Sequence, residues 1–467
     1  MEKIKLNFEI KKNNLKEFIR VLIPELVDEK IDITEVRCDN FLELKLEAMG
    51  KEIIFSYENH LDKLEDQRIV MCKVGLLKLM EKRYPWGGLI GVRPTKLVRR
   101  FLNLSYTYEK IEKLLCELYL VTPKKVKLLI DVVKKEMKFL NRDHINMYIG
   151  IPYCPTKCRY CSFASYEMRG TIGRYYDEFV DTLIEEIVLT GEFLKNNPNK
   201  IESIYIGGGT PSILTEVDME RVLRSVKDNI DLTYLKEFTL EAGRVDTLTF
   251  KKLDIMKTFG VERISLNPQT FNLKILERLN RPLDRQKFDE MFDYAKKIGL
   301  IINMDLILGL PGETTENILY TLEELRRYPT ENLTTHVLAL KKASVLFKDI
   351  QNPIPLDYEK IEKKLFEITE EKKMKPYYMY RQKNSLEWGE NLGFAIEGTE
   401  SIFNIEMIEE NQSTLGLGGG AITKSITTQS LTVDRIKRIV SPKEPIAYVR
   451  EMRERLPKKL ELFLSKE

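Results

Sequence analysis

The sequence predicts an α/β protein: a partial (β/α)6 TIM-type barrel, preceded by an N-terminal α+β and helical region and followed by a C-terminal domain. Three observations predict it. From about residue 145, short apolar runs alternate with longer helical patterns, the rhythm of parallel strands with helices outside. Six such units can be counted rather than eight, which leaves the barrel open. A tight group of cysteines directly follows the first of these strands, and barrel chemistry sits at the C-terminal ends of strands.

Residues 1–143 come first. Lys3–Ile10 alternates like a strand, Leu15–Leu26 is helix-like and Phe41–Tyr57 reads as a hairpin. Residues 71–143 read mainly as helices around a loop at Tyr84-Pro85-Trp86-Gly87-Gly88, ending in Lys-rich helical patterns at Tyr108–Leu118 and Lys124–Lys138. No catalytic set stands out in this part. The barrel takes residues 144–340. Its expected strands are Asn146–Pro152, Ser203–Ile206, Glu237–Glu241, Arg263–Asn267, Ile301–Leu308 and Leu333–Leu340. Its expected helices are Arg174–Phe193, Glu216–Asn229, Leu248–Phe259, Leu283–Ile298 and Thr315–Tyr328. Residues 341–467 form the C-terminal domain, with a Pro376–Lys383 segment, a glycine stretch at Leu415–Ala421 and a last helical pattern over Ile446–Arg455.

Bulk properties narrow the function. A chain of 467 residues is too long for one ordinary core. With 43% hydrophobic and 31% charged residues it reads as soluble and globular. A net charge of +3 gives no sign of a nucleic-acid-binding tail. No apolar run reaches the roughly 18 residues of a membrane span, and the start of the chain lacks a signal-peptide core. A cytoplasmic monomer is the expectation. Cys38, Cys72 and Cys116 are isolated and read as small core residues. Cys154, Cys158 and Cys161 are bunched, and in a reduced compartment bunched cysteines favour metal ligation.

The segment Tyr148-Ile149-Gly150-Ile151-Pro152-Tyr153-Cys154-Pro155-Thr156-Lys157-Cys158-Arg159-Tyr160-Cys161 has C-x₃-C-x₂-C spacing. Iron–sulfur clusters are held by cysteine thiolates, and three close ligands leave one iron of a [4Fe–4S] cluster open. S-adenosylmethionine (SAM) would fill that position. Zinc is the competing reading, but it wants a fourth Cys or His nearby. The chain has only His60, His144 and His336, and none is spaced to pair with the cysteines.

At these residues the sequence resembles the radical SAM superfamily and, within it, the oxygen-independent coproporphyrinogen III oxidase group. Gly91-Val92-Arg93-Pro94-Thr95-Lys96, Pro376–Lys383 and the glycine stretch extend the resemblance to the HemZ branch. The resemblance implies that Cys154, Cys158 and Cys161 ligate the cluster and that Tyr148 contacts cluster-bound SAM. Tyr160 stands where a phenylalanine packs near SAM. Gly207-Gly208-Gly209-Thr210-Pro211 matches the glycine motif that meets the methionine end of SAM, and Glu241 matches a SAM-contacting glutamate. Gln269, Arg281 and Asp305 match residues of a second SAM pocket, with Ile307 and Ala339 as weaker matches. There are departures. Gly150 stands where relatives often carry His, and Ser265-Leu266-Asn267-Pro268 replaces a serine–glycine stretch.

The implied reaction is conversion of two propionates of coproporphyrinogen III to vinyl groups, giving protoporphyrinogen IX. An electron donor of flavodoxin or ferredoxin type would be needed. Arg93, Lys96, Arg381 and Lys383 are candidate propionate partners. Two alternatives stay open. One is other radical chemistry on porphyrin or haem, such as methyl transfer or ring opening. The other is a haem-binding chaperone, whose axial ligand would be His336.

Overall fold

The computed structural model describes residues 4–38, 41–58, 64–89, 93–163, 165–197, 199–339, 344, 346, 354–382, 389–430 and 433–464. His60, Gly91, Val92, Leu340 and Lys383, all singled out above, lie outside them. The chain divides into two compact units, Met1–Val133 and Lys134–Glu467.

The first unit carries β1 (Ile4–Leu6), α1 (Lys12–Leu22), β2 (Ile31–Cys38), β3 (Phe41–Ala48), β4 (Lys51–Glu58), α2 (Leu64–Leu79), α3 (Pro94–Asn103), α4 (Tyr108–Glu117) and all but the last three residues of α5 (Pro123–Glu136). Its sheet order is β1-β2-β3-β4. The hairpin turns through Met49 and Gly50, both at positive φ, 51° and 72°. That pair of angles matches the twist of the flanking strands. Alternate residues Leu42, Leu44 and Leu46 of β3 are buried, as are Leu15, Phe18, Ile19 and Leu22 of α1, so strand and helix periods both meet one core. β1 is shorter than the Lys3–Ile10 strand expected. The Asn7 side chain accepts from Glu35 N–H at 2.7 Å and donates to its carbonyl at 3.2 Å. A side chain thus replaces the next rung of the ladder.

In the second unit the strands are β5 (His144–Ile151), β6 (Tyr153–Cys154), β7 (Tyr166–Glu167), β8 (Lys200–Gly208), β9 (Glu237–Glu241), β10 (Arg263–Ser265), β11 (Ile301–Leu308), β12 (Asn332–Val337), β13 (Met374–Tyr380), β14 (Asn391–Ile396), β15 (Ser413–Gly418), β16 (Ile422–Ser430) and β17 (Val433–Val440). The helices are α6 (Gly170–Arg174), α7 (Tyr176–Asn196), α8 (Glu216–Asn229), α9 (Phe250–Thr258), α10 (Leu273–Arg278), α11 (Arg285–Lys297), α12 (Thr315–Glu324), α13 (Tyr358–Glu371), α14 (Ile402–Glu409) and α15 (Pro445–Leu464). Side chains of Thr215, Thr249, Asp284 and Thr314 accept from backbone N–H groups and so start α8, α9, α11 and α12.

Neighbouring strands β5-β8-β9-β10-β11-β12 run parallel in chain order. This is the six-stranded partial barrel. The expected strand at Arg263–Asn267 stops at Ser265. Pro268 has no N–H to give a ladder, and Gln269 takes a positive φ of 65°.

Residues beyond 340 continue the same sheet. β14 pairs antiparallel with β12, and β13 pairs with β14. The glycine stretch forms β15, parallel to β5, with the β16–β17 hairpin beyond it. This explains Gly150. A Cβ there would lie 2.5 Å from Gly419 O, and a Cβ at Gly418 would lie 2.3 Å from Gly150 O. The two backbones meet where a histidine side chain would have to stand. Among the described residues no helix is long and apolar enough to cross a membrane.

Candidate active site

Cysteine loop and strand ends together enclose a cavity of about 370 Å³. Cys154, Cys158 and Cys161 all border it, the first two only 8% exposed. The loop that presents them is held from several sides. β6 pairs with β7, Lys157 N–H donates to Glu167 at 2.9 Å, and Arg159 N–H donates to Leu279 O at 3.0 Å. Burial pushes the Cys154 thiol up to about 11, with the Thr210 hydrogen bond pulling the other way, and burial also raises the Cys161 thiol. A metal must therefore displace protons to bind here. One ion draws its donors to about 2.3 Å of a single point. Among the described residues no three His, Cys, Asp or Glu side chains gather that way. All three thiols border the same space.

The glycine motif follows β8. Gly208 has φ of 121°, and a Cβ at Gly209 would lie 2.5 Å from Tyr153 O and 3.0 Å from Cys154 Sγ. Only glycine lets this backbone press against the cysteine segment. Gly209 N–H donates to Ile151 O and Thr210 N–H to Tyr153 O, both at 2.8 Å. Gly208, Gly209 and Thr210 also form cavity wall.

Glu241 ends β9 inside the cavity. Tyr205 OH donates to it at 2.5 Å. Burial raises its acid to about 7, the Tyr205 hydrogen bond opposes, and Asp305 adds to the rise. Asp305 accepts from Asn303 at 2.7 Å and Asn267 at 2.9 Å. Gln269 lines the same cavity with its buried Oε1 lacking a hydrogen-bond partner. That orphan atom and the residue's positive φ are features that recur at ligand sites. Arg281 donates to the carbonyls of Gly243 and Asn267 at 2.6 and 2.7 Å. Tyr160 borders the cavity and packs against Ile275, Leu279, Leu310 and Leu346. Ile307 and Ala339 are wall residues too.

Other candidates are placed as follows. Tyr148 on β5 stacks on Tyr205 and Phe403 at centroid distances of 6.2 and 6.0 Å, and burial raises its hydroxyl pKa. His144 begins β5, hydrogen-bonded to Asn141 and 3.1 Å from Glu202, away from the cysteine loop. Tyr380, the last residue of β13, and Gln382 line the cavity, but Arg381 between them does not. Burial lowers Arg381 to about 10, with Glu390 opposing. Arg93 and Lys96 belong to the first unit. His336 is in the wall, its Nδ1 3.0 Å from Tyr380 OH.

Sequence reasoning missed Arg244, Asn267, Asn303, Tyr205, Tyr378 and Tyr380, all wall residues. Asn303 was within reach, since Asn303, Asp305 and Ile307 share one face of β11 at a spacing of two. Tyr378 and Tyr380 come from β13, outside the β-α rhythm, and carried no such signal.

The comparisons with known proteins follow the same lines. Residues 148–325 match the model of the radical SAM superfamily. The Bacillus subtilis oxygen-independent coproporphyrinogen-III oxidase-like protein HemZ is 35% identical over 373 residues, covering 78% of this chain and 74% of that protein. The chain belongs to this radical SAM family. A Bacillus subtilis relative named heme chaperone HemW is 29% identical over 299 residues, covering 63% of this chain and 74% of that protein. The solved structure of Escherichia coli coproporphyrinogen III oxidase superposes with a TM-score of 0.54 at 20% identity, covering 68% of this chain and 70% of that one; it shares the fold. Radical SAM proteins bind a [4Fe–4S] cluster and SAM. The cavity of this family member fits that pair: three thiols on one side, a glycine-lined wall against them, and an orphan carboxamide oxygen beyond.

Proposed function

We propose that this chain is an oxygen-independent coproporphyrinogen III oxidase, which converts two propionates of coproporphyrinogen III to vinyl groups and yields protoporphyrinogen IX. The observation that carries the reading is the cavity itself, where three thiols share one space with an aromatic wall of Tyr205, Tyr378 and Tyr380. Such rings offer broad apolar contact to the individual pyrrole rings of the substrate. The identity to the oxidase-like relative over most of both chains supports it.

When bound, the cluster and SAM would supply a carbon-centred radical able to take a hydrogen atom from each propionate β-carbon, after which loss of CO₂ and of one electron to an acceptor would leave the vinyl group; the chain's residues would orient and shield. Cys154, Cys158 and Cys161 would ligate the cluster. Gly208, Gly209, Thr210 and Glu241 would hold SAM, and Tyr148 would back that pocket through Tyr205. Tyr160 would pack near that SAM, and Gln269, Arg281 and Asp305 would shape a place for a second one. The cavity wall would limit access of water to the reacting carbon, and fixed contact with one C–H bond would supply proximity. The electron donor would be a flavodoxin- or ferredoxin-type protein, and the enzyme would act as a monomer.

A second reading is a haem carrier. The chaperone relative and the position of His336 in the cavity wall favour it. Product analysis separates the two. The protein is reconstituted anaerobically with iron and sulfide, then given SAM, dithionite and coproporphyrinogen III, with Cys158→Ala as control. The oxidase reading expects protoporphyrinogen and 5′-deoxyadenosine from the wild type and neither from the control. Formation of 5′-deoxyadenosine over untouched porphyrinogen rejects the substrate. A haem Soret shift abolished by His336→Ala would then support the carrier.

A further inference from the structure

The three thiols do not share one environment. Cys154 Sγ lies 3.3 Å from the Thr210 hydroxyl, and Cys161 Sγ lies 4.0 Å from that of Ser165. Cys158 Sγ faces two guanidinium groups instead: Arg244 Nη1 and Arg281 Nη1 each stand 3.9 Å away. Both arginines are buried, 4% and 9% exposed. Arg244 Nη1 also donates to the Thr156 hydroxyl at 2.8 Å and to Thr156 O at 3.3 Å. Its other edge forks onto Asp246, with Nε and Nη2 at 3.0 and 2.6 Å from the carboxylate oxygens. One edge of this guanidinium thus grips the cysteine loop, and the other meets a carboxylate that is 40% exposed.

We propose that Arg244 is a positioning residue that clamps the cysteine loop and, together with Arg281, raises the reduction potential of the cluster through the Cys158 sulfur. The proposal rests on the reading that the three cysteines hold a [4Fe–4S] cluster. Reduction adds one negative charge, shared with the ligating sulfurs. Cluster potentials follow net charge, hydrogen bonds to sulfur and exposure. A buried N–H donor beside sulfur stabilises the more negative state, and a low-dielectric setting strengthens that effect. The charge is permanent, since a guanidinium does not lose its proton in proteins. Asp246 offsets part of it, but that carboxylate faces water and is screened. Arg281 is anchored mainly on carbonyl oxygens, so its charge also bears on Cys158. An easier reduction lowers the demand on whichever protein delivers the electron.

The test uses the full-length protein, reconstituted anaerobically with iron and sulfide, as wild type, Arg244→Gln and Asp246→Asn. Iron per chain and thermal melts are recorded first. Potentials are then read by electron paramagnetic resonance during a dithionite titration without SAM. In that titration one electron passes from dithionite to the cluster, and no protein bond forms or breaks. Arg244→Gln is expected to make reduction about tenfold less favourable, which for one electron is about 59 mV. Asp246→Asn is expected to move the other way, about threefold, because it removes the opposing charge. Equal potentials in all three proteins overturn the proposal, as does a rise in Arg244→Gln. Should Arg244→Gln take up no iron, Asp246→Asn decides alone: a rise supports the proposal and an unchanged potential overturns it. A wild type that takes up no iron refutes the cluster reading and this proposal with it.

Discussion

Glu313 shows what burial does to a single side chain. It accepts from the N–H groups of Gly309 and Leu310, both at 3.1 Å, and closes the turn between β11 and α12. Burial raises its acid to about 7, and the backbone hydrogen bonds oppose. The folded protein therefore holds this proton more tightly than the unfolded chain, where Glu ionises near 4.3. Its contribution to stability is fully present below about pH 4.3 and is lost as pH rises through the folded value. Glu241 carries the same sign. Glu313→Gln is expected to flatten the fall in stability between pH 5 and pH 8, by on the order of 3 kcal/mol. Melts of both proteins at the two pH values check it, and equal slopes contradict it. At this scale the sequence was legible where register behind the cysteines fixed a residue, as with Glu241, Gln269, Arg281 and Asp305, all of which border the cavity. Arg244 was not legible. It stands three positions past Glu241 in an ordinary polar turn, and its importance comes from Thr156 and Cys158, more than 80 residues away.

Among elements, the six parallel strands were readable because each pairs with a helical pattern of different period. The strands from the C-terminal region were not. β13, β14, β16 and β17 are joined to the sheet by antiparallel pairing, which leaves no β-α rhythm to follow. β15 hides in a run of glycines whose purpose is close approach to β5. That contact carries its own expectation. Gly150→Ala forces a Cβ to 2.5 Å from Gly419 O, so one strand must shift directly before the cysteine loop. A loss of about 1–3 kcal/mol is expected, as for other overpacked sites, together with lower iron uptake on reconstitution. Urea unfolding and iron analysis measure both. Unchanged stability would mean that the two strands are not held as closely as described.

For the whole molecule, the division after Val133, within the last turn of α5, sets where the chain can be cut. Residues just past it belong to the barrel unit. Phe139 and Leu140 pack on Tyr377, Tyr378, Ala395 and Ile405, and Asn141 N–H donates to Glu406 at 3.2 Å. A fragment of residues 134–467 is expected to fold and cleave SAM, whereas one starting at 145 loses this apolar cover and melts several degrees lower. Calorimetry of the two fragments checks the difference, and equal melting temperatures contradict it. If the first unit serves substrate handling, the longer fragment will keep SAM cleavage and lose porphyrinogen turnover.

The central claim is that Cys154, Cys158 and Cys161 hold a four-iron cluster with one position left for SAM. Its most direct test is iron and sulfide analysis of the anaerobically reconstituted protein, with electron paramagnetic resonance of the reduced state before and after SAM. The expected result is about four iron and four sulfide per chain, as [4Fe–4S] ligation requires, and a spectrum that changes when SAM is added. Cys158→Ala should lose both. A chain that binds zinc in place of iron, or a reduced spectrum indifferent to SAM, would contradict the claim.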